Sequence, residues 1–97
     1  MGQELIIKRI RVYISGIMKG VFSRAATRRA ATELNLTGCV SNMDDCRVEA
    51  VIEGEDTNID KMIEWCKVDY PSARVEEVAT AEEHYNGGFQ DFSIKHL

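Results

Sequence analysis

Residues 6–34, IIKRIRVYISGIMKGVFSRAATRRAATEL, place a strand pattern, a glycine-bearing turn and a helix pattern in direct succession. Apolar and polar side chains alternate over residues 6–15, which predicts a strand with one face in the core. The stretch from about residue 23 to residue 34 is rich in alanine and favours a helix. We therefore predict that the chain passes from a strand into a helix through a turn that contains Gly16 and Gly20.

The turn between these elements, within residues 15–24, has the composition of an anion site. Small proteins build phosphate sites from backbone N–H groups in a glycine-bearing turn, the positive end of a helix dipole and a planar guanidinium. Arg24 supplies the guanidinium at the start of the helix pattern. We therefore predict that a phosphate group binds at this turn.

Both ends of the predicted first helix carry boundary residues. Ser23 belongs to a residue type that caps helix N-termini by accepting a hydrogen bond from an exposed N–H group. Asn35 follows the last apolar residue of the pattern, at a position that often adopts the left-handed conformation. We predict a serine cap at the first end and a left-handed asparagine at the second.

Two short strand patterns follow over residues 38–43 and 47–53, separated by Asp44, Asp45 and Cys46. The spacing and the turn residues predict a hairpin. We expect a positive φ at Cys46, so that Cys46→Gly stabilises the protein by ~1 kcal/mol.

The second half of the chain predicts another helix and two more strands. A helical stripe of buried residues is indicated by Ile59, Met62, Ile63 and Cys66. Strand patterns follow over residues 73–80 and 89–95, with a loop over residues 84–88. The order β, α, β, β, α, β with a short strand appended predicts an α+β, ferredoxin-like sandwich, in which two helices cover one face of an antiparallel sheet.

The length of 97 residues predicts a single domain over residues 1–97, with residues 1–5 as a loose N-terminal tail. No segment approaches the roughly 18 apolar residues of a membrane span, and no secretory leader precedes the first strand, so we expect a cytoplasmic protein. The three cysteines are an odd number and show no zinc-ligand spacing with His84 and His96. We expect free thiols and no metal.

The net charge of −4 conceals a strong asymmetry along the chain. Residues 1–32 carry seven lysines or arginines and one acidic residue. Residues 33–97 carry five lysines or arginines and fifteen acidic residues. The basic residues surround the glycine-bearing turn in sequence, and we expect them either to attract a small anion there or to form a solvated charged face.

In the order and spacing of its motifs, nearly the whole chain resembles the acylphosphatase family. The resemblance is carried by Gly16, Gly20, Val21 and Arg24, by Gly38, Cys39, Val40, Ser41 and Asn42, by Val48, Glu49, Ala50 and Gly54, by Ala73, Arg74 and Val75, and by Phe92, Ser93 and Ile94.

The resemblance implies a small, metal-free hydrolase without a cofactor that converts a small-molecule acyl phosphate into a carboxylate and inorganic phosphate. We expect the protein to be a monomer. It implies that Arg24 is catalytic and holds the phosphoryl oxygens, and that Asn42 orients the attacking water. The phosphate-binding residues that it implies are Gly16, Ile17, Met18, Lys19, Gly20, Val21 and Arg24. Phosphoryl transfer needs mostly positioning and electrostatic stabilisation, which these groups are suited to provide.

The chain departs from the family's usual residues at six positions, which leaves an alternative open, a phosphate- or partner-binding module with weak or no turnover. The six positions are Met18, Lys19, Ser23, Cys39, Ser41 and Cys46. A nucleic-acid-binding module on the same fold would need aromatic side chains on its central strands, and residues 47–53 have none. A metal chaperone would need a pair of cysteines in the first loop, which the sequence lacks. We therefore expect neither.

Overall fold

The computed structural model describes residues 6–18, 20–43, 47–68 and 73–95. The predicted tail over residues 1–5, Lys19 and the hairpin turn with Cys46 lie outside the described residues. The elements of the described part are β1 (Ile7–Met18), α1 (Gly20–Glu33), β2 (Thr37–Asn42), β3 (Val48–Glu55), α2 (Asp56–Val68), β4 (Ala73–Glu83) and β5 (Phe92–Ile94).

The strands form one sheet in the order β4-β1-β3-β2-β5. The pairs β1–β3, β1–β4 and β2–β3 are antiparallel, as the sequence predicted. The predicted antiparallel sheet is correct for β1 to β4, whereas the appended strand β5 runs parallel to β2 through the register Gly38↔Phe92. β4 and β5 lie at opposite edges of the sheet, so the direction of β5 depends on how the chain crosses the sheet between them. No local sequence pattern indicates that crossing. The α+β ferredoxin-like fold is confirmed.

Both helices pack on the same face of the sheet, where one cluster of buried side chains forms the core. Alternation along β1 and β3 directs Ile10, Val12, Ile14, Val48, Ala50 and Ile52 to this face. The predicted stripe on α2 is confirmed, because Ile59, Met62 and Cys66 are buried and Ile63 packs against the same cluster. In the described part of the chain, no helix is long and apolar enough to cross a membrane.

The other face of the sheet, which we call the open face, carries the alternate side chains of the same strands. Its members include Arg9, Arg11, Tyr13, Glu49, Val51, Glu53 and Glu83.

The boundaries of the first two elements differ from those predicted. β1 continues three residues beyond Ser15 because its end pairs with β4, for instance through Met18↔Ala73. α1 begins at Gly20, and Ser23 therefore lies inside the helix and not at its N-cap. The low helix propensity of glycine conceals this early start. The other end is confirmed, since Asn35 has a left-handed φ of 57°.

Candidate active site

The strand directions bring the end of β1 and the end of β2 to the same edge of the sheet. Each of the two strands is antiparallel to β3, so they run in the same direction. α1 begins at Gly20, just after β1 ends at Met18, and it packs against β2. This edge, which we call the active-site edge, therefore combines the end of β1, the first turns of α1 and the end of β2.

Gly16 marks the point at which β1 departs from regular pairing. The register of β1 with β4 shifts between Ser15 and Gly16, and Gly16 has a φ of 144°. This region of φ is strained for residues with a Cβ atom, so the bulge requires glycine. The β1–β3 ladder has already ended at Ile14↔Val48. From Gly16 to Met18, β1 is paired only with β4 in the part of the chain that the structure describes. Every second backbone N–H group of this stretch therefore points to the side of β1 on which no strand is paired.

The start of α1 provides further backbone donors. Gly20 and Val21 are its first residues, and the first four N–H groups of a helix have no partner within the helix. The first turn of α1 contains no acidic residue. The positive end of the helix dipole is therefore not neutralised from within the helix and is available to an anion.

Arg24 is partly buried in the second turn of α1. Its Nε atom is buried and has no hydrogen-bond partner within the part of the chain that the structure describes. A buried N–H group without a partner destabilises a fold by roughly 1–3 kcal/mol, and more when the group is charged. Such a group indicates a binding position for an acceptor, and it lies near the active-site edge. Thr27, one turn later, is fully buried.

Asn42 is the last residue of β2 and pairs with Val48. It lies two residues after Val40, which is fully buried in the core, so both residues belong to the helix-covered face of the sheet. Asn42 itself is exposed. The structure therefore places Asn42 and Arg24 on the same face and towards the same edge, although the sequence separates them by a complete helix and strand.

The basic residues of the first third of the chain do not all surround this edge. Arg9 and Arg11 lie on the open face, where Arg11 pairs with Glu49 and Glu83 and Arg9 pairs with Glu53 and Glu83. For these two residues, the alternative that they attract an anion at the turn was wrong, because they lie on a charged face where acids from β3 and β4 pair with them. Arg28 and Arg29 remain exposed on α1.

Aromatic rings pack on two guanidinium groups of the open face. Phe89 lies with its ring centroid 5.3 Å from Cζ of Arg9, and Tyr13 lies 5.1 Å from Cζ of Arg47. The loop after β4 therefore returns across the open face. This network was not foreseen from the sequence, since its members come from distant elements.

The thiol groups that the structure describes are free, as predicted for Cys39 and Cys66. Both are buried, and burial raises the pKa of Cys66 to about 12. Within the described ranges, no group of three or more His, Cys, Asp or Glu side chains is arranged to hold a metal ion.

Comparisons with known proteins agree with this architecture. The family model described as Acylphosphatase matches residues 10–94. An acylphosphatase of Rubrobacter xylanophilus is 47% identical over 88 residues, which cover 91% of this chain and 80% of that protein. The solved structure of an acylphosphatase from Coxiella burnetii is 36% identical and superposes with a TM-score of 0.85, covering 92% of this chain and 93% of that one. The crystal structure of acylphosphatase from Bacillus subtilis also superposes with a TM-score of 0.85. It is 28% identical in sequence, and the match covers 94% of this chain and 100% of that one.

A two-layer α+β sandwich, with a helix N-terminus and a partly buried arginine towards one edge of its sheet, is thus the class of protein defined by the fold and the site. The chain belongs to the acylphosphatase family, and it is an enzyme that hydrolyses acyl phosphates.

Proposed function

We propose that Arg24 and the backbone N–H groups at the active-site edge hold the phosphoryl group of the substrate, while Asn42 positions the attacking water. The observation that carries this proposal is the buried, unpartnered Nε of Arg24. A guanidinium binds two phosphoryl oxygens through parallel N–H donors, and such charge-assisted bonds are among the strong ones in proteins.

The backbone donors in this proposal belong to Gly16, Ile17, Met18, Lys19, Gly20 and Val21. Two features of the described residues support it, namely the end of the β1–β3 ladder before Gly16 and the free N-terminal end of α1. Donors fixed by a strand and a helix need no reorganisation when charge develops on the equatorial oxygens, which is how such groups stabilise a transition state.

The chemistry then needs only one oriented water molecule. Its oxygen attacks phosphorus, the bond between phosphorus and the acyl oxygen breaks, and the electron pair leaves with the carboxylate. The proton released by the water goes to phosphate or to solvent. A carboxylate is a good leaving group, because carboxylic acids have a pKa of about 4. Asn42 suits the water-binding role, since its amide donates and accepts hydrogen bonds without a charge that would repel phosphate.

Hydrolysis of benzoyl phosphate and binding of inorganic phosphate test the role of Arg24. We expect the parent enzyme to be equally active with and without a metal chelator. We expect Arg24→Ala to lose on the order of 100-fold or more in kcat/KM, together with phosphate binding. Arg29→Ala removes an exposed arginine from the same helix and serves as the matched control. An Arg24→Ala variant that binds phosphate as well as Arg29→Ala does would contradict the proposal.

We further propose that the enzyme acts as a monomer in the cytoplasm without binding nucleic acid. One observation supports each part of this proposal, first the monomer, then the absence of nucleic-acid binding and last the compartment. The large hydrophobic side chains exposed in the described part of the chain are few, namely Ile6, Ile7, Val68 and Tyr85. On the open face, Arg9 and Arg11 are paired with Glu49, Glu53 and Glu83, so these two arginines are not free to neutralise the phosphates of a nucleic acid. The free thiols of Cys39 and Cys66 are typical of a reducing compartment. Sedimentation equilibrium should give the mass of one chain.

A further inference from the structure

A second site candidate lies at the opposite end of the sheet from Asn42. A cavity of about 280 Å³ is lined there by Ile7, Thr37, Glu53, Glu55, Asn58 and Tyr85, among others. Ile7 and Thr37 are the first residues of β1 and β2, and Glu55 is the last residue of β3. Because β1 and β2 run away from this end towards the active-site edge, the cavity and the proposed phosphate site occupy opposite ends of the molecule.

Glu53 lines this cavity and has one carboxylate oxygen without a hydrogen-bond partner in the described part of the chain. The residue is only 2% exposed, and its Oε1 atom is buried without a hydrogen-bond partner among the described residues. The other oxygen, Oε2, has long contacts, 3.6 Å to Nη1 of Arg9 and 3.5 Å to the backbone nitrogen of Asn86, which donates to it. The side chain of Glu53 shares the open face with its register partner Thr37, which also lines the cavity. Buried acceptors of this kind are rare and call for a partner.

The charges around Glu53 favour a cation as that partner. Arg9 is shared between Glu53 and Glu83, and Arg11 is occupied by Glu49 and Glu83. These ion pairs hold three carboxylates against two guanidinium groups, and Arg47 adds a third guanidinium to the open face beside Tyr13. Glu55, on the cavity wall, adds a further negative charge and accepts a hydrogen bond from Nδ2 of Asn58 at 3.4 Å. Glu49, Glu53, Glu55 and Glu83 thus face the guanidinium groups of Arg9, Arg11 and Arg47, and the remaining negative charge attracts a cation to this half-open space.

The size and the walls of the cavity favour an organic cation over a bare ion. A volume of about 280 Å³ is several times the roughly 30 Å³ that one water molecule occupies in the liquid. Ile7 and Tyr85 are 40% and 43% exposed and present apolar surface to it. An aromatic ring also attracts an ammonium group placed over its face. A ligand with one positive head and a short apolar body matches these features.

We propose that this cavity binds a small organic ammonium ion, with Glu53 as the counter-ion of the ammonium head and with Ile7 and Tyr85 in contact with its apolar part. The inference does not rest on the hydrolytic mechanism, because the two sites share no residue.

Titration of the ¹⁵N-labelled protein with butylammonium chloride tests the proposal, with 1-butanol as the neutral probe of similar shape and sodium chloride as the salt control. We expect saturable shifts of the amide signals of Thr37, Gly54 and Asn58 with butylammonium alone. Glu53→Gln, which keeps the shape and removes the charge, should weaken binding tenfold or more. Glu64→Gln, an exposed substitution on α2 away from the cavity, should bind as the parent does.

Two further variants keep the test decisive if Glu53→Gln fails to fold. Glu55→Gln removes a negative charge from the cavity wall, and Tyr85→Ala removes the aromatic ring. Each should weaken butylammonium binding severalfold. The proposal is overturned if butylammonium produces no saturable shifts at the cavity, if 1-butanol produces the same ones, or if the folded variants of Glu53, Glu55 and Tyr85 bind as tightly as the parent.

Discussion

Arg11 of β1 binds Glu83 of β4 through two guanidinium nitrogens. Nε donates to Oε2 at 2.6 Å, and Nη2 donates to Oε1 at 3.3 Å. Arg9 donates from its own Nε to the same Oε1 at 3.0 Å. One carboxylate at the end of β4 therefore joins two arginines of β1, and this arrangement fixes the two strands together on the open face.

This contact gives the stability of the protein a dependence on acid. The hydrogen bond from Arg11, followed by the one from Arg9, lowers the pKa of Glu83 below its ordinary value of 4.5. The contribution of Glu83 is therefore complete above about pH 4.5 and is lost as the pH falls through the lower pKa of the folded state. We expect the free energy of unfolding in urea, measured at several pH values, to fall less steeply below about pH 4.5 in Glu83→Gln than in the parent. Glu77→Gln, on the same strand, is the control. Identical pH profiles for the parent and Glu83→Gln would contradict the prediction.

Gly38 occupies a position that admits no side chain. Its φ is 142°, and a Cβ atom built there would lie 1.7 Å from the carbonyl oxygen of Val51 on the neighbouring strand. We expect Gly38→Ala to lower the free energy of unfolding by ~2 kcal/mol or more, since the backbone strain and the clash act together. Gly88→Ala, in an exposed loop, should change it little. A shift in the urea midpoint no larger for Gly38→Ala than for Gly88→Ala would show that the strand pairing is misassigned.

The thiol of Cys66 should be inert in the folded enzyme. Burial raises its pKa to about 12, and only the thiolate reacts rapidly with alkylating reagents. We expect iodoacetamide at pH 8 to modify Cys66 at least 100-fold more slowly in the native protein than in urea, as followed by mass spectrometry of the peptide that contains it. The same rate in both states would mean that α2 does not protect this residue.

The local patterns of the sequence predicted most of the fold. Alternation fixed the core face of β1, and the spacing of Ile59, Met62 and Cys66 fixed the buried face of α2, because both depend only on neighbouring residues. The extension of β1 to Met18 depends on β4, and the parallel direction of β5 depends on β2. Such pairings join residues far apart in sequence, so local patterns do not reveal them.

The same reasoning explains what the sequence revealed about the sites. Arg24 and Asn42 follow from residue types in family motifs, and the fold then places them towards one edge. The network on the open face joins partners 74 residues apart, such as Arg9 and Glu83. The buried carboxylate of Glu53 was likewise not predictable, since the alternation of β3 indicated only a polar residue on the outer face.

The turnover of benzoyl phosphate by Asn42→Ala tests the central claim most directly, because water positioning is the step that makes the phosphate site an active site. We predict a fall in kcat on the order of 100-fold or more, with the affinity for inorganic phosphate retained. Gln90→Ala, which removes an exposed amide from the loop before β5, should keep the parent rate. An Asn42→Ala enzyme that hydrolyses benzoyl phosphate as fast as Gln90→Ala would contradict the account.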